Sequence, residues 1–454
     1  MMGVSPHIPQ TSHAACLRPM RIGIVGTGHV GLVTGVALAS LGHRVVATDA
    51  DPGKVTTLRA GKTPFREPGL DELLGRTMSA GAITFVDALA EAVEGADVVF
   101  VCVGRPTVGN GDRSVGAVEE AVRSIARAAT TPLIVVVKST VPPGTTDRAA
   151  RVVRAERPDL DLDVVSSPEF LREGHAIHDT LVPDRIVIGS TSSRATATLM
   201  DLYGDMVEGG ATPFVTSPAT AELSKLASNA FLALKISYVN AMARISELAG
   251  ADARDVAQIM GADVRIGEAF LGAGLGFGGY CLPKDVATLD RQAAKLGYDF
   301  ALLREVIRIN DESLEAVRGL VEEAVWNLEG KRIAIFGLAF KEGVDDVRGS
   351  RALALADSLL GSDAMVVAYD PVAAEAAAEA LPALHVVADP YLAAEGASCL
   401  VVCEGASVFR GLDLQRLRGV VASPIVVDAR NALDGPTLVR AGFQYLPIGA
   451  PQPG

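Results

Sequence analysis

The chain is predicted to be an α/β protein in which two Rossmann-like, doubly wound sheets are joined by a long central helical segment. Three observations lead to this fold class. Short apolar runs typical of buried strands alternate with alanine-rich helical stretches, which is the pattern of a mostly parallel sheet. The pattern occurs twice along the 454 residues. Between the two copies lies a long helical stretch.

The strands of the first predicted sheet are apolar runs that are each followed by a turn and a helical pattern. They lie at residues 21–25, 45–48, 96–103, 133–138 and 162–165. A glycine turn and a helix to about residue 41 separate the first two. This alternation predicts parallel strands, whose carboxyl ends form the ligand-binding edge of such a sheet.

A weak internal duplication predicts the second sheet. Residues 332–337 resemble 21–26, residues 366–370 resemble 45–49, and residues 400–405 resemble 100–104, with a further strand expected at 425–428. The second copy keeps the first turn glycine, Gly337, but lacks the two glycines that should come after it. A full pyrophosphate-binding turn is therefore not expected there, and a different nucleotide ligand is.

The stretch between the sheets is predicted to be one long helix. Ser217 is a favourable N-cap residue, and Pro218 suits the first helical position. From residue 219 to about 250 no helix breaker occurs. Such a helix would connect the two sheets, and helices of this kind often carry dimer contacts.

Composition and charge exclude several classes of protein. The net charge of −13 argues against nucleic acid as a partner, although a local cluster of Lys and Arg would still accept a small anion. The five cysteines form no CxxC pair, and Cys102, Cys399 and Cys403 lie in strand-like runs, so we expect structural thiols in a reducing cytoplasm. We predict no metal site, no secretory signal and no membrane span.

A glycine fingerprint comes directly after the first strand, at Gly26, Gly28 and Gly31. It has the required strand before it and helix after it, and Asp49 ends the second strand about 20 residues further on. An acidic residue there binds the ribose hydroxyls and repels a 2′-phosphate, so NAD is favoured over NADP. The less favoured alternative is a turn that only packs a helix on a sheet. Lys54 either reaches the adenosine end or is a solvated lysine.

Cys281 has neighbours that suggest covalent oxidation chemistry. A glycine-rich loop precedes the thiol, and Lys284 and Asp285 come within a few residues after it, which is a setting compatible with a reactive cysteine. Lys225 and Asn229 are four residues apart on the predicted long helix and share a face, where they would stabilise a developing alkoxide. The alternatives are a small buried cysteine and a solvated Lys–Asn face.

Two carboxylates, Glu169 and Glu173, lie shortly after the strand at 162–165. The carboxyl end of a strand is where α/β sheets place ligands, so one of the two would act as a general acid or base. The equally weighted alternative is a pair of acids that stabilise the beginning of a helix.

Together these motifs resemble those of the UDP-glucose 6-dehydrogenase family, within the wider UDP-glucose/GDP-mannose dehydrogenase group. The resemblance extends from about residue 20 to residue 431. It rests on the ordered stretches 26–32, 67–70, 137–145, 167–174, 183–189, 225–229, 276–285, 336–341, 345–348 and 428–431.

The resemblance implies that a UDP-sugar is oxidised at its C6 alcohol to a carboxylate, with two NAD and one water. Cys281 is implied to form a thiohemiacetal with the aldehyde and then a thioester. Lys225 and Asn229 are implied to stabilise the oxyanion.

The resemblance also implies the remaining site residues. Asp285 would handle protons with a bound water, Glu169 would act in thioester hydrolysis, and Thr140 would help to position water. The implied NAD contacts are Gly26, Gly28, His29, Val30, Gly31, Asp49, Lys54, Thr140, Glu173, Lys284 and Arg348. The implied UDP-sugar contacts are Glu169, Phe170, Leu171, Lys225, Arg265, Phe270, Leu271, Gly272, Gly274, Gly276, Phe277, Gly278, Phe340, Lys341 and Arg430. Arg265 would reach in from a neighbouring subunit, so a homodimer or a higher homo-oligomer is expected.

The expected domains are a disordered extension (1–19), an NAD-binding Rossmann domain (20–210), a central helical segment for dimerisation and catalysis (211–330) and a Rossmann-like UDP-sugar-binding domain (331–454).

Three positions depart from the family pattern. Arg105 replaces a usual Thr near the cofactor, Ser167 replaces Asn in Ser-Asn-Pro, and Arg351 stands where Pro often comes after Arg-x-Ser. None of these removes an implied catalytic group.

Three alternative functions are weighed against this one. The same chemistry on GDP-mannose or a UDP-N-acetylhexosamine is the nearest. A two-electron hydroxyacid dehydrogenase leaves Cys281 and the second sheet unexplained. A non-catalytic nucleotide-binding protein would lack at least one of Cys281, Lys225 and Asp285, and all three are present.

Overall fold

The structure is a computed structural model that describes residues 18–104 and 112–450. The extension expected at residues 1–19 lies almost entirely outside the described residues, and so does Arg105. The described chain divides into two compact units, of which one ends at Ala227 and the other begins at Ser228.

An eight-stranded sheet forms the centre of the first unit, with the order β3-β2-β1-β4-β5-β6-β7-β8. The strands are β1 Arg21–Val25, β2 Arg44–Thr48, β3 Ile83–Phe85, β4 Val98–Val101, β5 Leu133–Val137, β6 Leu162–Ser166, β7 Arg185–Gly189 and β8 Thr212–Thr216. Neighbouring strands run parallel except β6 and β7, which meet antiparallel. The first six strands have the order of a dinucleotide-binding sheet, which confirms the predicted fold class.

Helices cover both faces of this sheet, so its central strands are apolar on both sides. In β4, Val98 and Phe100 belong to one core and Val99 and Val101 to the other. The helices of this unit are α1 His29–Ser40, α2 Pro52–Arg59, α3 Leu70–Ser79, α4 Leu89–Val93, α5 Asp112–Ala128, α6 Thr145–Glu156, α7 Ala176–Leu181, α8 Ser193–Leu202 and α9 Gly204–Glu208.

The predicted long helix is α10, which spans Pro218–Ala249 and continues from the first unit into the second. The Ser217 hydroxyl accepts a hydrogen bond from the Thr220 N–H over 3.2 Å, as expected of an N-cap residue. One turn further on, the buried Glu222 carboxylate accepts hydrogen bonds from the Gly144 and Thr146 N–H groups, over 2.6 and 2.7 Å. Glu222 therefore stabilises the beginning of α6, directly after the segment that contains Thr140.

A six-stranded parallel sheet forms the centre of the second unit, with the order β11-β10-β9-β12-β13-β14. Its strands are β9 Arg332–Phe336, β10 Met365–Tyr369, β11 His385–Val386, β12 Cys399–Val402, β13 Ile425–Asp428 and β14 Gln444–Pro447. The remaining helices are α11 Ala253–Gly261, α12 Cys281–Lys295, α13 Ala301–Val325, α14 Arg351–Leu360, α15 Ala374–Ala380, α16 Pro390–Ala394, α17 Ser407–Arg410, α18 Leu414–Val420 and α19 Gly435–Arg440. The strand order repeats that of the first six strands of the first sheet, so the predicted duplication is confirmed.

The duplication extends to the turn after the first strand of each sheet. Gly26 and Gly337 both have positive φ, +98° and +89°, and each donates its N–H to the last residue of the second strand over 2.9 Å. The next N–H along the chain donates to Asp49 in the first unit and to Asp370 in the second, over 2.7 Å in both.

The two turns lead into different structures. In the first unit α1 begins at His29, three residues after the turn glycine. In the second unit α14 does not begin until Arg351, and a long loop intervenes. The tight glycine turn that leads directly into a helix is therefore present only in the first unit, as the missing glycines predict.

The helices of both units lack the character of membrane spans. Over residues 18–104 and 112–450, the helices are all too short or too polar to cross a bilayer. The sequence predicts the same.

Candidate active site

The fingerprint turn of the first unit has the shape that a dinucleotide requires. A side chain at Gly31 would collide with the carbonyl oxygen of Gly26, so α1 packs closely against the turn. At Gly28, by contrast, an added Cβ would meet no atom within 4 Å. Open space therefore lies beside the N-terminus of α1, where N–H groups and the helix dipole attract phosphate. The turn fits the pyrophosphate of NAD.

Asp49 is held beside this turn by several donors. One oxygen accepts hydrogen bonds from the N–H and the hydroxyl of Thr27, over 2.7 and 3.0 Å, and the other accepts the Asp51 N–H over 3.0 Å. The Lys54 ammonium lies 3.9 Å from the same carboxylate. Lys54 therefore lies near the carboxylate beside the turn, with its side chain 40% exposed.

Glu67 is a buried carboxylate for which the sequence predicts no role. It accepts hydrogen bonds from the N–H groups of Gly174 and Ala176, each over 2.8 Å, and lies 3.0 Å from Nε2 of His29. The His29 ring stacks on Phe65, with 4.6 Å between centroids. Glu67 thus links the first residue of α1 to the segment that contains Glu169 and Glu173.

Lys225 and Glu169 form a largely buried ion pair in the first unit. Nζ of Lys225 lies 3.1 Å from Oε1 of Glu169, and only 4% of Lys225 is exposed, so the solvated-face alternative is wrong. The Phe170 ring lies close to two cations, with its centroid 5.4 Å from the Lys225 ammonium and 3.9 Å from the Arg185 guanidinium carbon. Glu169 accepts the N–H of Leu171 over 2.8 Å, which fixes the carboxylate.

Glu169 and Glu173 both lie before the nearest helix, α7, which begins at Ala176. The N–H groups of Gly174 and Ala176 are bound by Glu67, a carboxylate distant in sequence. Glu173 and Thr140 are both half-buried, and Thr140 lies just beyond the carboxyl end of β5.

Cys281 is the first residue of α12, and it is exposed. The alternative of a small buried cysteine is therefore wrong. The positive end of the helix dipole and the nearby Lys284 ammonium give this thiol the electropositive, accessible setting of reactive cysteines. The structural interpretation holds for Cys102 and Cys399, since burial raises the pKa of each thiol to about 12.

Asp285 lies one turn after Cys281 and is the most deeply buried charge of this group. It is 1% exposed and accepts hydrogen bonds from Nδ2 of Asn229, over 2.6 Å, and from Nζ of Lys284, over 2.5 Å. Burial alone would lower the pKa of Lys284, but the adjacent Asp285 carboxylate outweighs burial and raises it. Lys284 is therefore a fixed cation beside the thiol.

Tyr280 brings two of the implied NAD contacts together. Its ring centroid lies 5.7 Å from Nζ of Lys284 and 5.1 Å from the guanidinium carbon of Arg348. Arg348 is oriented by Asp346, whose oxygens accept from Nε over 2.9 Å. Tyr280 is a residue that sequence reasoning missed, because Arg348 lies almost 70 residues further along the chain.

The implied UDP-sugar loop runs from residue 270 to 278, and close packing requires three of its glycines, Gly274, Gly276 and Gly278. Phe270 and Gly276 have positive φ, +66° and +104°. A Cβ at Gly274 would lie 2.6 Å from the Arg430 guanidinium, and one at Gly278 would collide with the Gly349 carbonyl oxygen. The loop is therefore pressed against its own unit along most of its length.

Other residues of this loop differ in accessibility. Leu271 and Phe277 are buried, whereas Gly272 is exposed. The Phe340 ring covers Gly279, where an added Cβ would lie 2.8 Å from it, and the next residue, Lys341, is half-buried. Phe340 and Lys341 thus lie beside the end of the loop.

The Arg265 side chain lies at the surface of the second unit. Its side chain is 85% exposed and forms an ion pair with Asp263, with 2.6 Å between Nη2 and Oδ2. An exposed guanidinium of this kind is available to another molecule.

Glu404 is a second buried carboxylate that sequence reasoning missed. It lies shortly after β12 and packs against the turn at Gly337. Burial, with Asp370 and Glu342 nearby and Arg430 opposing them, raises the pKa of Glu404 to about 8. No sequence signal distinguishes it from a surface glutamate.

Comparison with known protein families finds a match in three consecutive parts. The NAD binding domain of the UDP-glucose/GDP-mannose dehydrogenase family matches residues 20–207, its central domain 219–312 and its UDP binding domain 334–435. Among individual relatives, UDP-glucose 6-dehydrogenase of Rhizobium meliloti is 41% identical over 95% of this chain and all of that protein. UDP-glucose 6-dehydrogenase of Pseudomonas aeruginosa is 39% identical over 96% of this chain and 98% of that protein.

Solved structures of sugar-nucleotide dehydrogenases are also similar to this chain over nearly its whole length. A UDP-glucose dehydrogenase from Pyrobaculum islandicum has a TM-score of 0.88 and 38% identity, covering 98% of this chain and 99% of that one. A UDP-D-ManNAc dehydrogenase from Pyrococcus horikoshii has a TM-score of 0.83 and 28% identity, covering 95% of this chain and 99% of that one.

Glu404 is predicted to make the stability of the second unit depend on pH. Its pKa is raised from the ordinary 4.5 to about 8 in the folded chain, so the folded chain keeps a proton that the unfolded chain has lost. Stability therefore falls as pH rises through this window. Between pH 5 and pH 8 we expect the Tm of the wild type to fall by roughly 5 °C more than that of Glu404→Gln. Parallel curves from calorimetry at each pH would contradict this prediction.

Proposed function

Because the chain belongs to the UDP-glucose/GDP-mannose dehydrogenase family, we propose that it oxidises UDP-glucose to UDP-glucuronate with two NAD and one water. The observation that carries this proposal is the exposed Cys281 thiol at the beginning of α12, beside the Lys284–Asp285 pair. The choice of sugar is supported by the relatives named UDP-glucose 6-dehydrogenase, which match over nearly the whole chain.

NAD is the cofactor, and the first unit contains the family's NAD-binding domain. The open space at Gly28 and the N-terminus of α1 would receive the pyrophosphate, and Asp49 would bind the ribose. When bound, NAD takes up one hydride in each of the two oxidations.

We assign the covalent step to Cys281. Its thiolate adds to the C6 aldehyde, which forms a C–S bond and places the negative charge on the former carbonyl oxygen. Protonation gives a thiohemiacetal, and loss of a hydride and a proton gives a thioester. Water then displaces the thiolate, so that the product is a carboxylate and Cys281 is regenerated.

Lys225 and Asn229 are assigned to the oxyanion. Lys225 is a buried ammonium, and Asn229 is a buried amide fixed by its hydrogen bond to Asp285. Fixed donors of this kind stabilise developing negative charge more strongly than mobile water does.

Two carboxylates are assigned to proton transfer, and Thr140 to positioning of the attacking water. Glu169 forms an ion pair with Lys225 and would accept a proton from the water that hydrolyses the thioester. Asp285 is paired with Lys284 and Asn229 and would accept protons through a bound water.

The proposal is tested by counting NADH formed per UDP-glucose consumed, with the sugar nucleotide limiting. We expect two NADH and UDP-glucuronate as the only product. One NADH with released aldehyde would contradict the covalent mechanism. If UDP-glucose is not consumed, the same assay with GDP-mannose and UDP-N-acetylhexosamines identifies a different sugar nucleotide.

Replacement of the nucleophile should separate the two oxidations. For Cys281→Ser we expect the steady-state rate to fall by at least about a thousandfold, because an alkoxide forms far less readily than a thiolate and an ester is hydrolysed more slowly. Single-turnover absorbance at 340 nm, with wild type and Cys102→Ser as controls, measures the NADH formed. Full turnover by Cys281→Ser would rule out the thioester.

We also propose that the protein forms a homodimer through α10. Phe231, Tyr238 and Ile245 are exposed and spaced seven residues apart, with Leu248 exposed on the same face. A seven-residue apolar repeat on an exposed helix is typical of helix pairing, and a second copy offers the complementary repeat. The exposed Arg265 guanidinium, which the family resemblance assigns to a neighbouring subunit, also supports a dimer.

The dimer is tested by placing charge in this repeat. The double variant Tyr238→Glu, Ile245→Glu should be monomeric by light scattering at micromolar concentration, because glutamates cannot be buried unpaired between two helices. Arg244→Glu, at a position next to the repeat, is the matched control and should remain dimeric. A dimeric double variant would place the interface elsewhere.

We propose a reducing, cytoplasmic location as well. Among the described residues, none of Cys102, Cys281, Cys399 and Cys403 forms a disulfide. A catalytic thiol requires a compartment in which it stays reduced. Fractionation of cells followed by activity measurement would test this location.

A further inference from the structure

We propose that Arg351 and Asn310 are positioning residues that fix the loop at residues 274–278, and that this loop, so fixed, sets the affinity for the sugar nucleotide. The inference rests on the proposed function for its substrate. It concerns two residues to which neither the motifs nor the comparisons assign a role.

Arg351 is the first residue of α14, and its guanidinium turns back to the loop. Nε donates to the Leu275 carbonyl oxygen over 3.2 Å, and Nη2 donates to the Asn310 carbonyl oxygen over 2.7 Å. Nη1 contacts the exposed Asp311 carboxylate at 3.2 Å. The Arg351 side chain is only 17% exposed, and two of its nitrogens donate to backbone carbonyls.

Asn310 holds the next part of the loop. It is buried on α13, and its Oδ1 accepts the Phe277 N–H over 2.6 Å while its Nδ2 donates to the Phe277 carbonyl oxygen over 3.1 Å. Both backbone polar groups of Phe277 are therefore bound by one side chain. From α10, Oδ1 of Asn240 accepts the Gly274 N–H over 2.8 Å. Three side chains from three helices thus fix the loop backbone.

The loop backbone lies in close contact with these side chains. A Cβ at Gly276 would lie 2.5 Å from Oδ1 of Asn310, and a Cβ at Gly278 would lie 3.4 Å from Cγ of Arg351. The glycines allow the backbone to lie directly on the two side chains. Cys281, the first residue of α12, comes three residues after Gly278.

Arg351 is not needed for its own helix. The N-cap of α14 is Ser350, whose hydroxyl accepts the Leu353 N–H over 3.2 Å and donates to the Leu338 carbonyl oxygen over 2.6 Å. A cation at the N-terminus of a helix opposes the helix dipole. The contacts with Leu275 and Asn310 therefore account for an arginine at this position better than helix stability does.

The test compares Arg351→Met, which keeps most of the apolar stem, with wild type and with Asp311→Ala. For Arg351→Met we expect the KM for UDP-glucose to rise roughly tenfold, the loss expected for charged hydrogen bonds to a loop, while the KM for NAD changes less than about twofold. Asp311→Ala removes only the exposed contact of the same guanidinium and should match wild type. Arg351→Lys, which keeps the charge but not both carbonyl contacts, should give an intermediate KM.

Two results would overturn the inference. One is an unchanged KM for UDP-glucose in both Arg351→Met and Arg351→Lys. The other is a fall in Tm and in kcat with no change in KM, which is what a purely structural role predicts. If Arg351→Met does not fold, the KM of Arg351→Lys for UDP-glucose decides between a positioning role and a purely structural role.

Binding of UDP by calorimetry separates this inference from the proposed function. If wild type does not oxidise UDP-glucose but binds UDP, and Arg351→Met binds it roughly tenfold more weakly, the loop assignment stands and the substrate assignment fails. If wild type oxidises UDP-glucose and Arg351→Met has the same KM and the same UDP affinity, the loop assignment fails alone. If wild type neither oxidises UDP-glucose nor binds UDP, both fail.

Discussion

The buried carboxylate of Asp285 is the constraint on which the chemistry of the second unit depends. A charge that is 1% exposed is costly unless donors surround it, and Asp285 has Lys284 and Asn229 as donors at 2.5 and 2.6 Å. The Asn229 bond joins the first turn of α12 to α10, and the Lys284 bond lies within α12 itself. They thereby fix Cys281, which begins that turn, with its thiol exposed and a lysine beside it. The first unit has a comparable pair, in which Lys225 and Glu169 neutralise each other.

The two sheets illustrate how one topology supports two kinds of nucleotide site. Asp49 and Asp370 occupy the same place after the second strand and accept the same turn N–H. Asp370, however, is buried and binds four backbone N–H groups, those of Leu338, Ala339, Val372 and Ala373. It has no oxygen left for a ribose, whereas Asp49 lies beside an open glycine turn. A shared strand order therefore does not imply a shared ligand.

The features that could be predicted from the sequence are those with a local signal. Strand alternation, the glycine fingerprint and the repeat of residues 21–26 at 332–337 lead to the observed sheets, and the neighbours of Cys281 are close in sequence. Glu67, Asn310 and Glu222 have no such signal, because their partners are distant; the Glu67 bond to Gly174 spans 107 positions. Arg351 was visible only as a departure from a family pattern. Its contacts depend on how α13 and α14 pack, which no local pattern encodes.

A covalent bond between the substrate and Cys281 is the central element of the proposed chemistry. The direct measurement is mass spectrometry of enzyme quenched in acid during turnover of UDP-glucose with NAD, followed by digestion. We expect the peptide that contains Cys281 to carry the mass of a UDP-glucuronyl thioester, and this adduct to disappear after treatment with hydroxylamine. An enzyme that turns over but carries no adduct, or carries it on another residue, would contradict the covalent mechanism.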